Sequence, residues 1–556
     1  MEQLLPWVEQ ELKQLRQSGA DLAARYPRVA GRLGDAGRGR GAEVGRDPHV
    51  ERLVQAAAVL HARIAHGLDR AGPLLDERLL EALYPGQLRP SASAAVFRLG
   101  GDARCGTVLR ARGSDGRSYR FRLVADAARS GVELGSLGWR PYAGPGREHL
   151  LSLTLSLPAL TPRSPAPGAC KRLRLYVHAE PVLRAALLDA MLMHASAAWV
   201  QAGAGGMAAL PVPTIRLAGL DETGDSAWQG LRGYQCFGDR FNFVDLDLAA
   251  LLRQVPAAGN EVTLHIALPV RVDGELAQVL ARAEAGNLLT GCAPAVNLFP
   301  AAAAPVDVTG LASEYGLQPA DPSHVIYSID SVSLQRGRVL EVLRQPQAVA
   351  YAQAPARTWT ARRALADECG PPMRIAFEPA PGSEAGTASA ALTCCDRAVP
   401  AKLEVAEPAA ALVGAVTKMC EVSGGRALRW RLLAMLALEA RSPDAESLRL
   451  AFSLQDLPDS EAAHKLQSAV VDVQLLPATL AVPHRHGSAP IDGTEVRVTI
   501  DERALVGASV AVFVHVIDQY LSTSVHLNTF MQLVAVSAGS GGELMRCRPR
   551  NGNLML

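Results

Sequence analysis

The spacing of apolar residues in this 556-residue chain changes near Pro90, and that change limits the possible folds more than any other feature. Before Pro90 the period is helical. Leu4, Leu5, Val8, Leu12 and Leu15 fall on one face over residues 2–17. Asp47 is placed to cap a second helix, because its carboxylate can accept from unpaired backbone N–H groups, and Pro48 suits the first helical position. Val50, Leu53, Val54, Ala57, Leu60, Ile64 and Leu68 then form a second stripe. A third helix is predicted over about 74–84, stopping before Pro85.

After Pro90 the period falls to two. Residues 118–126, 150–157, 171–179 and 261–270 alternate as strands between Gly/Pro-rich turns. Residues 370–393 read as strand, loop, strand. Helical stretches are predicted at 180–200, 426–439 and about 508–522. The expected fold is α+β and multidomain, an N-terminal helical module followed by β-rich mixed domains. The expected divisions are 1–90 for the helical module, 91–340 for a β-rich middle region of two subdomains, and 341–556 for a C-terminal α+β domain.

Composition narrows the function classes. The chain is 49% hydrophobic and 20% charged, enough to bury real cores. Lys and Arg total 56 against 55 acids, so no global field points to nucleic acid or an anionic membrane. The start, MEQLLPWVEQELKQ, lacks the apolar core of a signal peptide. No apolar run of about 18 residues occurs, so direct membrane insertion is not expected. Nine cysteines at irregular spacing, without a CxxC pair, fit a reducing, cytoplasmic setting.

The Gly/Arg-rich residues 27–54 invite a functional reading. A phosphate loop would need GxxxxGK with Ser or Thr, and a dinucleotide fingerprint would need its glycines after a strand. Neither condition is met. As a nucleic-acid arm the stretch is basic but lacks interleaved aromatics, and Asp35, Glu43 and Asp47 dilute its charge. A solvated connector between helices is the favoured reading. His484 and His486 share a strand face without a nearby carboxylate or thiolate, Cys394-Cys395 reads as two half-buried strand residues, and His61 with Glu51 lacks the HExxH pattern. Ser509 and Ser522 lie in a predicted helix rather than a GxSxG turn, and the acidic turn at 221–225 is too short for a calcium loop. Trp359 and Arg362 could form a stacking surface, although a boundary helix with a solvated face is the plainer reading. No catalytic, cofactor-binding or metal residue is expected. Two other classes stay open, a nucleic-acid-binding module using the loop 37–46 and an enzyme with an unrecognised site.

A set of residues in fixed order carries a resemblance. It runs through Tyr26-Pro27, Gly31-Arg32-Leu33, Asp47-Pro48-His49-Val50-Glu51-Arg52-Leu53 and Tyr84-Pro85. It continues through Leu173-Arg174-Leu175-Tyr176, residues 237–243 (FGDRFNF), Asn297-Leu298-Phe299 and residues 325–330 (VIYSID). It closes with Trp430-Arg431-Leu432-Leu433, Gly493-Thr494-Glu495-Val496 and Asn528-Thr529-Phe530. The chain resembles the TssF family (also VasA or ImpG), baseplate subunits of bacterial type VI secretion systems. It departs from the family pattern in a lengthened, Arg-rich link before Asp47, before residue 237, and over 400–425. The resemblance implies a non-catalytic structural subunit without cofactors, similar to wedge proteins of contractile phage baseplates. Such a subunit would join TssG into wedges that dock TssK and TssE around the spike hub, support tube and sheath assembly, and sit in the cytoplasm against the inner-membrane complex. The motif residues Gly31, Arg32, Leu33, Asp47, Pro48, Tyr84, Pro85, Asn297, Phe299, Asn528 and Phe530 would then be structural.

The first helix, with Leu4, Leu5, Val8, Leu12 and Leu15, is too short to stand alone in water. Its stripe must bury against the Val50–Leu68 helix, or in a bundle shared with TssG or a second copy of the chain. The shared bundle is expected.

Overall fold

The computed structural model describes residues 4–26, 48–84, 86–127, 131–141, 149–157, 172–203, 205–220, 227–254, 261–269, 274–345, 357–363, 371–378, 386–422, 426–484, 487–522, 525, 529–551 and 554–555. The chain divides into two compact units, Met1–Leu88 with Ser423–Leu432, and Arg89–Val422 with Leu433–Leu556.

The first unit is helical. Helix α1 (Leu5–Arg25) lies against helix α2 (Pro48–Leu83), which is 36 residues long. The pair is antiparallel: Arg16 bonds Glu51, Glu11 faces His61 at 3.7 Å, and the Trp7 and His66 rings meet edge to face at 5.9 Å. Two sequence expectations change here. The helix predicted over 74–84 is the end of α2, which runs through Gly72-Pro73 without stopping. An interior proline costs roughly 3 kcal/mol, and packing on both sides of it, at Ala58 and Ala62 before and Leu80 and Tyr84 after, overrides that local signal. The buried face of α2 also differs from the predicted stripe. Small residues, Ala58 and Ala62, are buried, while the leucines of the stripe face outward.

The second unit mixes helices with six sheets among the described residues. One six-stranded antiparallel sheet has Ser118–Leu123, Cys292–Val296 and Ala94–Leu99 near its centre, and takes its two edges from Leu403–Glu407 and Ala410–Val413. Another is built on the long pair His324–Arg336 and Gly386–Asp396. Strands from both sides of residue 340 share sheets, Tyr315–Leu317 with Met373–Glu378 among them, so a boundary there would cut three of the six. The helix predicted over 180–200 ends at Leu192, and Ala197–Ala202 is a strand paired with Glu261–Leu268. A continuous apolar run does not distinguish a buried helix from a buried strand.

At the C-terminal end, Gly487–Ile500 pairs antiparallel with Val470–His484 and parallel with Phe530–Ser537. Helix Val510–Leu521 makes the parallel connection and is buried on nearly all sides. Its N-cap is Ser509. Asp189 on the helix Pro181–Leu192 reaches the same end, accepting from the Ser509 hydroxyl at 2.6 Å and from the Ala511 N–H at 2.9 Å. Burial pushes the Asp189 carboxyl up to about 6, against the pull of these donors.

Gly493 sits opposite Phe530 in the parallel register. A Cβ there would stand 2.3 Å from the Phe530 carbonyl oxygen and 2.4 Å from its ring. The obstructing atom is backbone and cannot swing away. Gly493→Ala is therefore expected to destabilise the chain by roughly 1–3 kcal/mol through overpacking. A urea midpoint equal to the parent's would refute this.

Candidate interaction surface

The unusual surface lies on α2. Leu53, Leu60, Ile64 and Leu68 keep 58–70% of their surface exposed, and Leu75, Leu79 and Leu83 continue the row to the helix end. The steps are seven or four residues, so these side chains stay on one side of a helix about 54 Å long. Single exposed leucines are ordinary, but an aligned row of seven is not. The expected face of α1 is only partly used: Leu4, Val8, Leu12 and Leu15 are half-buried, and Leu5 is exposed. The two helices thus form a pair with apolar surface left over. Beyond them in the same unit, Arg429 pairs with Asp76 at 2.8 Å, Arg431 bonds Gln87 at 3.2 Å, and Trp430 stays exposed.

The second pair of interface candidates is placed differently. Trp359 and Arg362 lie on a strand, Thr358–Arg363, not on a boundary helix. Trp359 is 4% exposed, in a core with Phe377, Ile375 and Leu317. Arg362 is also buried, held by Glu314 through three contacts of 2.6–3.1 Å. Neither side chain offers a free stacking surface.

The family-motif residues separate into two groups. Gly31, Arg32, Leu33, Asp47, Pro85 and Asn528 lie outside the described residues, as do the loop 37–46, the acidic turn 221–225 and the Arg485-His486 pair. The others have structural roles. Pro48 opens α2, Tyr84 is buried just beyond its end, and Phe530 is the residue that Gly493 accommodates.

Asn297 is fully buried where the chain leaves Cys292–Val296 for Phe299–Ala302. Its amide donates to the Arg120 carbonyl at 2.9 Å and to the Asp396 carboxylate at 2.8 Å, and its oxygen accepts from the Asp396 N–H at 2.7 Å. Next to it the Arg120 guanidinium lies 3.8 Å over the Phe299 ring. One side chain thus joins strands of two sheets. Asn297→Ala is expected to cost about 3 kcal/mol, because two buried backbone groups lose their partner. A thermal or urea midpoint like that of a surface substitution would refute that role.

Metal and thiol chemistry stay limited. Among the described residues one group, Asp456, Asp459 and His464, brings ligand atoms within 4.8 Å of one another. His464 already pairs with Asp459 at 3.1 Å, and both are exposed. Cys394 and Cys395 are fully buried, more so than the sequence suggested, and burial pushes their thiols up to about 11 and about 12, so neither is a ready thiolate.

Comparison with known proteins follows the same lines. A family model described as Type VI secretion system, TssF matches residues 1–554. The type VI secretion system component TssF1 of Pseudomonas aeruginosa is 25% identical, with 99% of each chain covered. A chain in the cryo-electron microscopy structure of a TssK-TssF-TssG baseplate subcomplex has a similar fold, with TM-score 0.73 at 20% identity, over 91% of this chain and 99% of that one. A chain in the baseplate complex from the type VI secretion system gives TM-score 0.59 at 19% identity, over 97% and 98%.

Proposed function

The chain belongs to the TssF family and is a type VI secretion baseplate subunit, and from that premise we propose that its work is binding rather than catalysis. It joins TssG, through α1 and α2, in a helical bundle that a second copy of the chain can share. The wedge so formed docks TssK and TssE around the spike hub, in the cytoplasm beneath the inner-membrane complex. The observation that carries this reading is the seven-residue apolar row of α2, left open by α1. A two-helix pair with a bare apolar side is an incomplete bundle, and a third helix buries what remains. One structural relative is a chain of a TssK-TssF-TssG baseplate subcomplex, which supports the choice of partners. No described helix is long and apolar enough to cross a membrane.

Coexpression with the TssG and TssK of the same gene cluster tests the reading. A bundle held by apolar burial survives a wash at about 1 M salt, because ionic screening leaves the hydrophobic term intact. A chain that elutes alone, or that instead retains DNA in a steeply salt-dependent way, overturns it.

A further inference from the structure

One sheet of the second unit has an unexpected outer face. Its strands run in the order Glu133–Pro141, His149–Ser156, Glu261–Leu268, Ala197–Ala202, Met207–Leu210. The inner face is apolar, with Leu137, Leu151, Leu153 and Leu264 buried. The outer face carries a cavity of about 360 Å³ walled almost wholly by polar side chains. That is at the small end of ligand pockets, roughly 300–1,000 Å³.

The cavity owes its depth to a glycine. Gly138 lies on this face between Ser136 and Arg140, opposite Ser152 in the register. A Cβ at Gly138 would meet nothing within 4 Å. The gap is therefore room over the sheet, bordered by two side chains from the same edge strand.

The floor is polarised in one direction. The Gln201 amide nitrogen donates to the Gly205 carbonyl at 3.0 Å, which turns its oxygen toward His265 Nε2 at 3.1 Å. Nε2 must then carry the proton, so Nδ1 accepts from the Ser152 hydroxyl at 2.8 Å. Ser152 is left with acceptor lone pairs. Thr154 and Thr263 share one hydrogen at 3.2 Å, leaving one hydroxyl hydrogen over. His265 is buried, and burial together with the nearby Arg140 charge holds it below its ordinary value, so it stays neutral. The floor therefore offers acceptors and a donor but no charge.

The rim supplies the charge. Arg140 is the one fixed charge among the described residues lining the cavity, and the side chains of Arg140 and Ser136 make no hydrogen bond to another described residue. A guanidinium prefers a partner with two oxygens it can grip at once. We propose that this cavity binds a phosphate monoester of a small polyol. Arg140 and Ser136 hold the phosphate, and the hydroxyl body lies over Gly138 against Ser152, Thr154 and Thr263. The site shares no residue with the helical surface through which the baseplate role is proposed.

Titration calorimetry of the full chain with ribose 5-phosphate, inorganic phosphate and ribose tests this. The ester should bind at least about tenfold more tightly than either fragment, since only it uses both rim and floor. Arg140→Ala should weaken it about tenfold or more, and Arg110→Ala, on another sheet, should not. Gly138→Leu should abolish binding by filling the cavity while leaving Arg140 in place, with an unchanged circular dichroism spectrum because a Cβ there meets nothing within 4 Å. No heat with the ester at millimolar concentration overturns the proposal. So does equal binding of inorganic phosphate or ribose, or binding that survives Gly138→Leu.

Discussion

Asp518→Ala should cost about 3–5 kcal/mol of stability, the expected loss when one partner of a buried ion pair is removed. The pair is as enclosed as any ion pair among the described residues. The side chains of Asp518 and Arg550 are 2% and 3% exposed, and the Asp518 carboxylate meets Arg550 Nε at 2.5 Å. Asp518 is the one acid on the mostly apolar inner helix Val510–Leu521, and Arg550 starts the short strand pair Arg550–Asn551 and Leu554–Met555 that ends the last sheet. The pair fastens those final strands to the helix beneath. Without Asp518 the guanidinium loses this carboxylate in a dry site where water cannot replace it. The double variant Asp518→Leu with Arg550→Met should recover most of the loss, because an apolar pair of similar volume avoids desolvating two charges. Urea midpoints of the three chains decide. If the double variant is as unstable as the single one, the loss comes from packing and not from the broken ion pair.

The second large effect concerns assembly. Leu60→Glu with Ile64→Glu should leave the chain alone nearly unchanged, within about 0.5 kcal/mol, since both side chains are mostly exposed. In a completed bundle the same positions lie in the seam, and each buried carboxylate costs about 2 kcal/mol or more. Together that is about 4 kcal/mol, or roughly a thousandfold in affinity. Copurification with TssG should be lost while the circular dichroism spectrum and melting temperature hold. If TssG still copurifies, the α2 row is not the interface. If the chain alone unfolds, the row supports the fold of the subunit itself.

Some of this was legible in the sequence because it rests on local physics. The change of period at Pro90 marks a real change of structure: α1 and α2 lie before it, and the alternating segments became Ser118–Leu123, His149–Ser156, Leu173–Val177 and Glu261–Leu268. Pro48 opens a helix as its fixed φ allows. The Gly493 and Phe530 of the family motif could be listed from the sequence, but their reason, a parallel crossing too close for a Cβ, appears only when residues 37 positions apart are set side by side.

The tertiary structure decided what periodicity leaves open. A helical stripe tells that a face is apolar, not whether the chain itself covers it. Here α2 buries its alanines, Ala58 and Ala62, and leaves its leucines outside. Trp359 and Arg362 looked like surface chemistry because large and charged residues usually are, yet Glu314, 48 residues away, neutralises Arg362 inside a strand core. Asp518, Arg550 and the cavity over Gly138 left no sequence signal, because each depends on partners brought together by sheet register. Local propensity acts within a few residues, whereas burial and ion pairing depend on what packs across the chain, so the former could be read in order and the latter only in space.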